Sequence, residues 1–164
     1  MPTPISHAAV GFAIGAWAQR GPPTTRVCVA AAACAALPDS DVLWSPLQLA
    51  DASPFAHRAI THSLAFALVA AIVVTAVFFR GERRTGVVLL LALLSHSCLD
   101  ALSTYSLGVG FFVPFSEQRF HFLWTPLGRP NGTVASQLIE ESLVVLLPAV
   151  LIGWLGLRIR NRQR

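Results

Sequence analysis

The sequence predicts an all-α fold, a membrane-embedded helical bundle of about five apolar segments, with residues 1–164 forming one domain. Three observations lead there. Hydrophobic residues make up 54% of the chain and charged residues only 12%, about half the charged fraction of an ordinary soluble domain. The mean hydropathy is +0.62. The apolar residues also run in long blocks, broken by short stretches that carry proline, glycine or arginine.

The first block, residues 5–18, holds Gly11 and Gly15 in small-xxx-small spacing, and the second, residues 27–37, is largely alanine. Such composition lets helices approach closely in lipid, so the two are expected to pair. At 1.5 Å per residue they reach only about 20 Å and 16 Å against a hydrocarbon core of about 30 Å. A tilted pair or a shallow hairpin is therefore open beside full crossing. Blocks three to five, residues 62–79, 85–105 and 134–157, are long enough to cross. Before the first block, residues 1–6 carry no basic side chain and no evident cleavage site, so the N-terminus is expected to be retained and not removed as a signal peptide. Residues 106–133 gather Phe111, Phe112, Phe115, Phe120, Phe122 and Trp124 around Pro114 and Pro126. An interfacial segment at headgroup depth or an ordinary loop packed on the helix ends both fit.

All twelve basic side chains are arginines. If every block crosses, nine of the twelve, Arg20, Arg26, Arg80, Arg83, Arg84, Arg158, Arg160, Arg162 and Arg164, share one side, and Arg58, Arg119 and Arg129 the other. The positive-inside rule makes the crowded side cytoplasmic, which predicts a multi-pass protein of the inner, cytoplasmic membrane. The arginines fall where topology places them and lack an interleaved aromatic platform, so nucleic-acid binding is not expected. Cys28, Cys34 and Cys98 are an odd set without paired spacing, read as small packing residues.

Against this apolar background the ionisable residues stand out. His96 and Asp100 lie four apart inside the fourth block, hence on one helical face with Cβ atoms about 6 Å apart. An intramembrane ionisable pair costs about 3 kcal/mol or more per group and needs a partner. A His–Asp hydrogen bond tying two helices together is one reading, and a metal site is the other. The arginine-derived topology favours metal, because it gathers His7, Asp39, Asp41, His57, His62, His96 and Asp100 in the same outer leaflet. Imidazole and carboxylate ligands suit a divalent transition metal, zinc foremost and manganese next, and a mixed set of more than four predicts two ions. His62, His96 and Asp100 are the firmest ligands. His7 and the pair Asp39 and Asp41 join them, and His57 is either a ligand or a partner behind one. Arg58 offers fork-shaped donors to a phosphate or pairs with Asp41 or Asp51. Arg119 serves substrate, neutralises Glu117 or anchors its segment. His121 reads as an interfacial side chain, and Glu140 and Glu141 as polar residues at a helix start.

The early His7, "LPDSD" at 37–41, "HRAITHS" at 57–63, "SHSCLDALSTYSLG" at 95–108 and "PFSEQRF" at 114–120 together resemble the YdjM family over roughly residues 1–120. That family is described as LexA-binding, inner-membrane-associated metal-dependent hydrolases. The resemblance implies membrane location, a metal-hydrolase activity and a regulatory protein partner. The ligand order is also similar to that of zinc-dependent phospholipase C. By that analogy Asp39, His62, His96 and Asp100 surround one ion, His7 and a bridging Asp100 hold a second, and Asp41 and His57 complete or orient the shell. A third ion is not implied, because Ser136 and Gln137 stand where a His-x-x-x-Glu pair would need its histidine.

The expected function is therefore a membrane-bound hydrolase acting on a lipid or lipid-linked phosphoester. A metal-activated water would attack, Arg58 would hold phosphoryl oxygens, and Asp41 or His57 would manage the proton. A non-catalytic membrane scaffold or regulatory protein with a structural metal is the main alternative. A transporter is disfavoured, since the inner halves of the blocks carry no ionisable relay.

Overall fold

The computed structural model describes residues 2–19, 22–47, 53–104, 107–128 and 133–162. Arg20, Asp51, Tyr105, Ser106, Arg129 and Arg164, used in the sequence reading, lie outside the described residues. Among the described residues the protein is all helical, with only the isolated bridges Ser103 to Leu127 and Val109 to Phe120.

Helix α1 (Pro4–Ala18) starts with proline in its first turn, where a missing N–H costs nothing. Helix α2 (Thr25–Ala36) returns alongside it. A Cβ at Gly11 would overlap the Ala31 carbonyl and fall 2.5 Å from Ala35 Cβ, so the small residues do set this close approach. Pro38 cannot donate into another α-turn, and the chain continues as a 3-10 segment over Leu37–Leu47. A short 3-10 turn, Ile60–His62, precedes helix α3 (Leu64–Phe79), whose first turn is capped by Ser63 Oγ accepting from the Phe66 N–H at 3.1 Å. Arg80, in the left-handed region at φ 52°, ends α3 and leads to Gly81 at φ 76°.

Helix α4 (Arg83–Ala101) packs on both α2 and α3. The buried apolar core lies among these three helices, around Ala31, Ala35, Leu89, Ala92 and Leu93. The last block comprises helix α5 (Val134–Glu141), a π-helical turn over Ser142–Leu146, and helix α6 (Leu147–Asn161), which packs against α1.

Five apolar segments were expected, yet among the described residues two helical runs are long and apolar enough to cross: Arg83–Ala101, with 19 residues, and Val134–Asn161, with 28. Length is the reason. The 15, 12 and 16 residues of α1, α2 and α3 reach about 22, 18 and 24 Å against about 30 Å of hydrocarbon. The third block loses its start because His62 sits in the 3-10 turn. Only 22% of the apolar window of Val134–Asn161 is buried inside the molecule, so this run turns most of its apolar surface outward. Glu141 also departs from expectation. It ends α5 instead of starting it, is buried, and accepts hydrogen bonds from the Thr3 N–H at 2.5 Å and the Thr3 hydroxyl at 2.6 Å.

The aromatic segment folds back over the cluster end of the bundle. Phe111 accepts from the Leu64 N–H at 2.9 Å, Gly110 N–H donates to Arg58 O at 2.9 Å, and Arg119 Nη1 donates to His57 O at 2.9 Å. Phe115 and Trp124 remain exposed. Arg119 thus braces the His57 loop, where an ion pair with Glu117 was one expectation.

Candidate metal centre

Antiparallel packing brings one end of each of the first four helices together. His7 comes from the second turn of α1, Asp39 and Asp41 from just beyond α2, His62 from the turn before α3, and His96 and Asp100 from the last turns of α4. His7, His62, His96 and Asp100 are wholly buried, and Asp39, Asp41 and Arg58 nearly so. His57 keeps 34% of its side chain exposed.

The hydrogen bonds behind the histidines fix their protonation pattern. His96 Nδ1 lies 2.7 Å from the Ala35 carbonyl, which can only accept, so Nδ1 carries the proton and Nε2 presents a lone pair. Thr61 Oγ1 donates its one proton to Asp41 Oδ2 at 2.8 Å and lies 2.9 Å from His62 Nδ1. That hydroxyl must then accept from His62 Nδ1–H, so in the neutral ring His62 Nε2 keeps a lone pair as well. The two Nε2 atoms face each other at 2.9 Å. Two lone pairs at that distance repel unless a proton or a cation lies between them.

Two carboxylate oxygens join these nitrogens. Asp39 Oδ1 is 3.5 Å from His96 Nε2 and 3.9 Å from His62 Nε2, while Asp100 Oδ2 is 3.3 Å from His62 Nε2 and 3.8 Å from His96 Nε2. Donors about 2.05 Å from a tetrahedral centre are about 3.3 Å apart, and Asp39, His62, His96 and Asp100, whose donor atoms all lie within 4.8 Å of one another, could together hold a metal ion. Neither Asp39 oxygen has a hydrogen-bond partner among the described residues. Burial pushes its carboxyl above the usual range, and the Asp100 charge adds to this while His7, His62 and His57 oppose it. Two buried carboxylate oxygens without a donor suit a cation ligand.

Asp41 and His57 stand behind this cage. Asp41 Oδ1 accepts from His57 Nδ1 at 2.7 Å, and Oδ2 accepts from the Arg58 N–H at 3.2 Å as well as from Thr61. Burial pushes the Asp41 carboxyl up, but the His57 hydrogen bond, the neighbouring imidazoles and Thr61 together hold it below the usual range. Asp41, His57 and His62 form a second group of donors close enough to share an ion, although the bonds just described already engage Asp41. His7 stacks on His96, ring centroids 3.7 Å apart, and its Nε2 lies 3.5 Å from Asp100 Oδ1. Arg58, expected either to offer its guanidinium to a phosphate or to pair with Asp41 or Asp51, has its guanidinium Nε 3.0 Å from Asp100 Oδ2 inside the cluster.

All the sequence-predicted site residues therefore converge. Sequence reasoning missed Thr61, the Ala35 carbonyl and Ser97, whose hydroxyl donates to His62 O at 2.7 Å. Thr61 lies in the "HRAITHS" run, and its hydroxyl beside His62 was the one available signal. His121 is outside the centre, with Nδ1 on Ser103 O at 2.9 Å. Cys28, Cys34 and Cys98 are free thiols, the first two buried.

A family model described as YdjM inner membrane protein matches residues 1–164. The chain is also 36% identical to the Inner membrane protein YbcI of Escherichia coli (strain K12) over 164 residues, covering 93% of this chain and 95% of the relative. No solved structure matches.

Proposed function

The chain belongs to the YdjM inner membrane protein family, and from that premise we propose a metal-dependent hydrolase of the inner membrane, acting on a lipid or lipid-linked phosphoester. The carrying observation is a surplus of buried ionisable groups. A closed structural ion needs four donors, and Asp39, His62, His96 and Asp100 supply them. His7, Asp41 and Arg58 are buried beside that cage, at a desolvation cost a purely structural site has no use for.

A divalent ion held there, zinc being the best match to two imidazoles and two carboxylates, supplies a water acidified toward neutral pH and a Lewis acid for a phosphoryl oxygen. The chain's own residues divide the remaining work. Asp41 and Thr61 orient His62, and Ala35 orients His96, so both imidazoles offer Nε2. Arg58 directs a guanidinium at the cluster and carries the charge that phosphoryl oxygens seek. His57, partly exposed and hydrogen-bonded to Asp41, carries a proton between the centre and solvent.

The positive-inside rule puts the described arginines at the opposite helix ends, Arg26, Arg80, Arg83, Arg84, Arg158, Arg160 and Arg162, on the cytoplasmic side. The centre then opens to the outer leaflet of a multi-pass protein, at the depth of a headgroup still anchored in the bilayer. A second reading rests on the complete burial of His62, His96 and Asp100: a saturated structural ion in a scaffold that binds a regulatory protein.

The test is release of headgroup or phosphate from a panel of phospholipids and isoprenoid phosphates, using detergent-purified protein loaded with zinc or manganese. Wild-type turnover that His96→Ala abolishes supports the hydrolase. A metal-loaded, folded wild type that cleaves no member of the panel favours the structural ion.

A further inference from the structure

We propose that the guanidinium of Arg58 occupies the second cation position of the centre, which therefore takes one divalent ion where the ligand set in the sequence suggests two. This rests on the metal reading above. In a two-ion centre a bridging carboxylate is shared between two cations. Asp100 is shared in that way here: its Oδ2 belongs to the cage, 3.3 Å from His62 Nε2, and also meets Arg58 Nε at 3.0 Å. The second cation is already present, covalently attached to the chain.

Its placement is built in. Arg58 has φ 64°, a left-handed conformation uncommon for a residue other than glycine. Its N–H donates to Asp41 Oδ2 at 3.2 Å and its carbonyl accepts from Gly110 N–H at 2.9 Å. The Gly110 approach leaves little room, because a Cβ there would come within 2.8 Å of Val113 and 3.3 Å of the Arg58 carbonyl. The aromatic segment thus clamps the turn that delivers the guanidinium, and the side chain is 1% exposed.

Charge counting agrees. Ionised Asp39, Asp41 and Asp100 bring three negative charges; Arg58 and one divalent ion bring three positive charges, with the imidazoles neutral as ligands. A second divalent ion would leave an excess of positive charge in a buried site, which is costly. Among the described residues His7 Nε2 and Asp100 Oδ1, 3.5 Å apart, are the donors a second ion would use once the guanidinium charge beside Asp100 is removed.

The experiment is zinc titration of chelator-stripped, detergent-purified protein, read as bound metal per chain by mass spectrometry and isothermal calorimetry. Wild type and Arg58→Lys are expected to saturate at one equivalent, and Arg58→Gln, checked for folding by size exclusion and circular dichroism, at two. Two equivalents in wild type overturn this proposal and leave the metal reading intact. No bound zinc in folded wild type overturns both. A folded Arg58→Gln that stays at one equivalent with wild-type affinity also overturns it, and if that variant does not fold, the wild-type and Arg58→Lys stoichiometries decide.

Discussion

His62 Nε2 and His96 Nε2 face each other at 2.9 Å, and each ring donates its other nitrogen's proton away from the shared point, His62 to Thr61 and His96 to Ala35. The two helices that carry or follow these histidines, α3 and α4, are thereby committed to an arrangement that only a proton or a cation between the rings relieves.

Removing either imidazole should therefore remove the metal. His62→Ala and His96→Ala are each expected to weaken zinc binding by more than the roughly 10- to 100-fold cost of losing a supporting partner. Competition with a chromogenic chelator reads this directly. Retention of wild-type affinity by both variants would exclude the cage.

Supporting residues should act more gently. Thr61→Val keeps the shape but leaves His62 Nδ1–H without its acceptor at 2.9 Å, and is expected to lower zinc affinity about 10- to 100-fold while metal still binds. The same chelator competition, run beside His62→Ala, separates the two classes; an effect as large as the imidazole deletion would make Thr61 more than an orienting group.

Asp41 predicts a pH dependence. Its carboxyl is held below the ordinary value of 3.8, so the folded state favours the ionised form. The stabilisation is fully present above 3.8, the unfolded value, and is lost as pH falls through the lower native value. Metal-free wild type should melt above Asp41→Asn at pH 6, and the gap should close toward pH 3. A gap that widens on acidification would reverse the assigned sign.

Glu141 anchors the start of α1 through Thr3. Glu141→Ala removes the acceptor of a half-buried N–H and hydroxyl and is expected to cost about 1 kcal/mol, seen as a lower thermal midpoint in detergent. Because His7 lies one turn beyond Thr3, with its N–H on Thr3 O at 3.1 Å, zinc affinity should fall with it. An unchanged midpoint would show the latch to be idle.

At the α1/α2 contact, Gly11→Ala would drive a methyl into the Ala31 carbonyl and Ala35 Cβ. Overpacking of this kind costs about 1–3 kcal/mol, whereas Gly81→Ala, with open space around it but φ 76°, tests backbone strain alone. Comparing their midpoints checks that close helix approach, not glycine content, matters at residue 11.

Much of the centre was legible because charge is so rare in this chain. In an apolar sequence each ionisable side chain needs a partner, so His7, Asp39, Asp41, His57, His62, His96 and Asp100 announced one cluster before any fold was known. Glu141 was misread, because its partner Thr3 lies 138 positions away and no local pattern joins the two. Helix lengths were misjudged for a related reason. Hydropathy marks the apolar run of residues 62–79, but the 3-10 turn at Ile60–His62 and the Ser63 cap decide where the helix begins.

The sequence by itself determined an all-helical architecture, the tight α1/α2 pair and the identity of the clustered residues, since composition and spacing act locally along a helix. Only the tertiary structure decided that Arg58 turns inward onto Asp100, that Thr61 and Ala35 set which nitrogen each histidine offers, and that the described helices include two of crossing length. Those outcomes depend on hydrogen bonds and ion pairs between residues far apart in the chain, and their directions are fixed only once the backbones are packed.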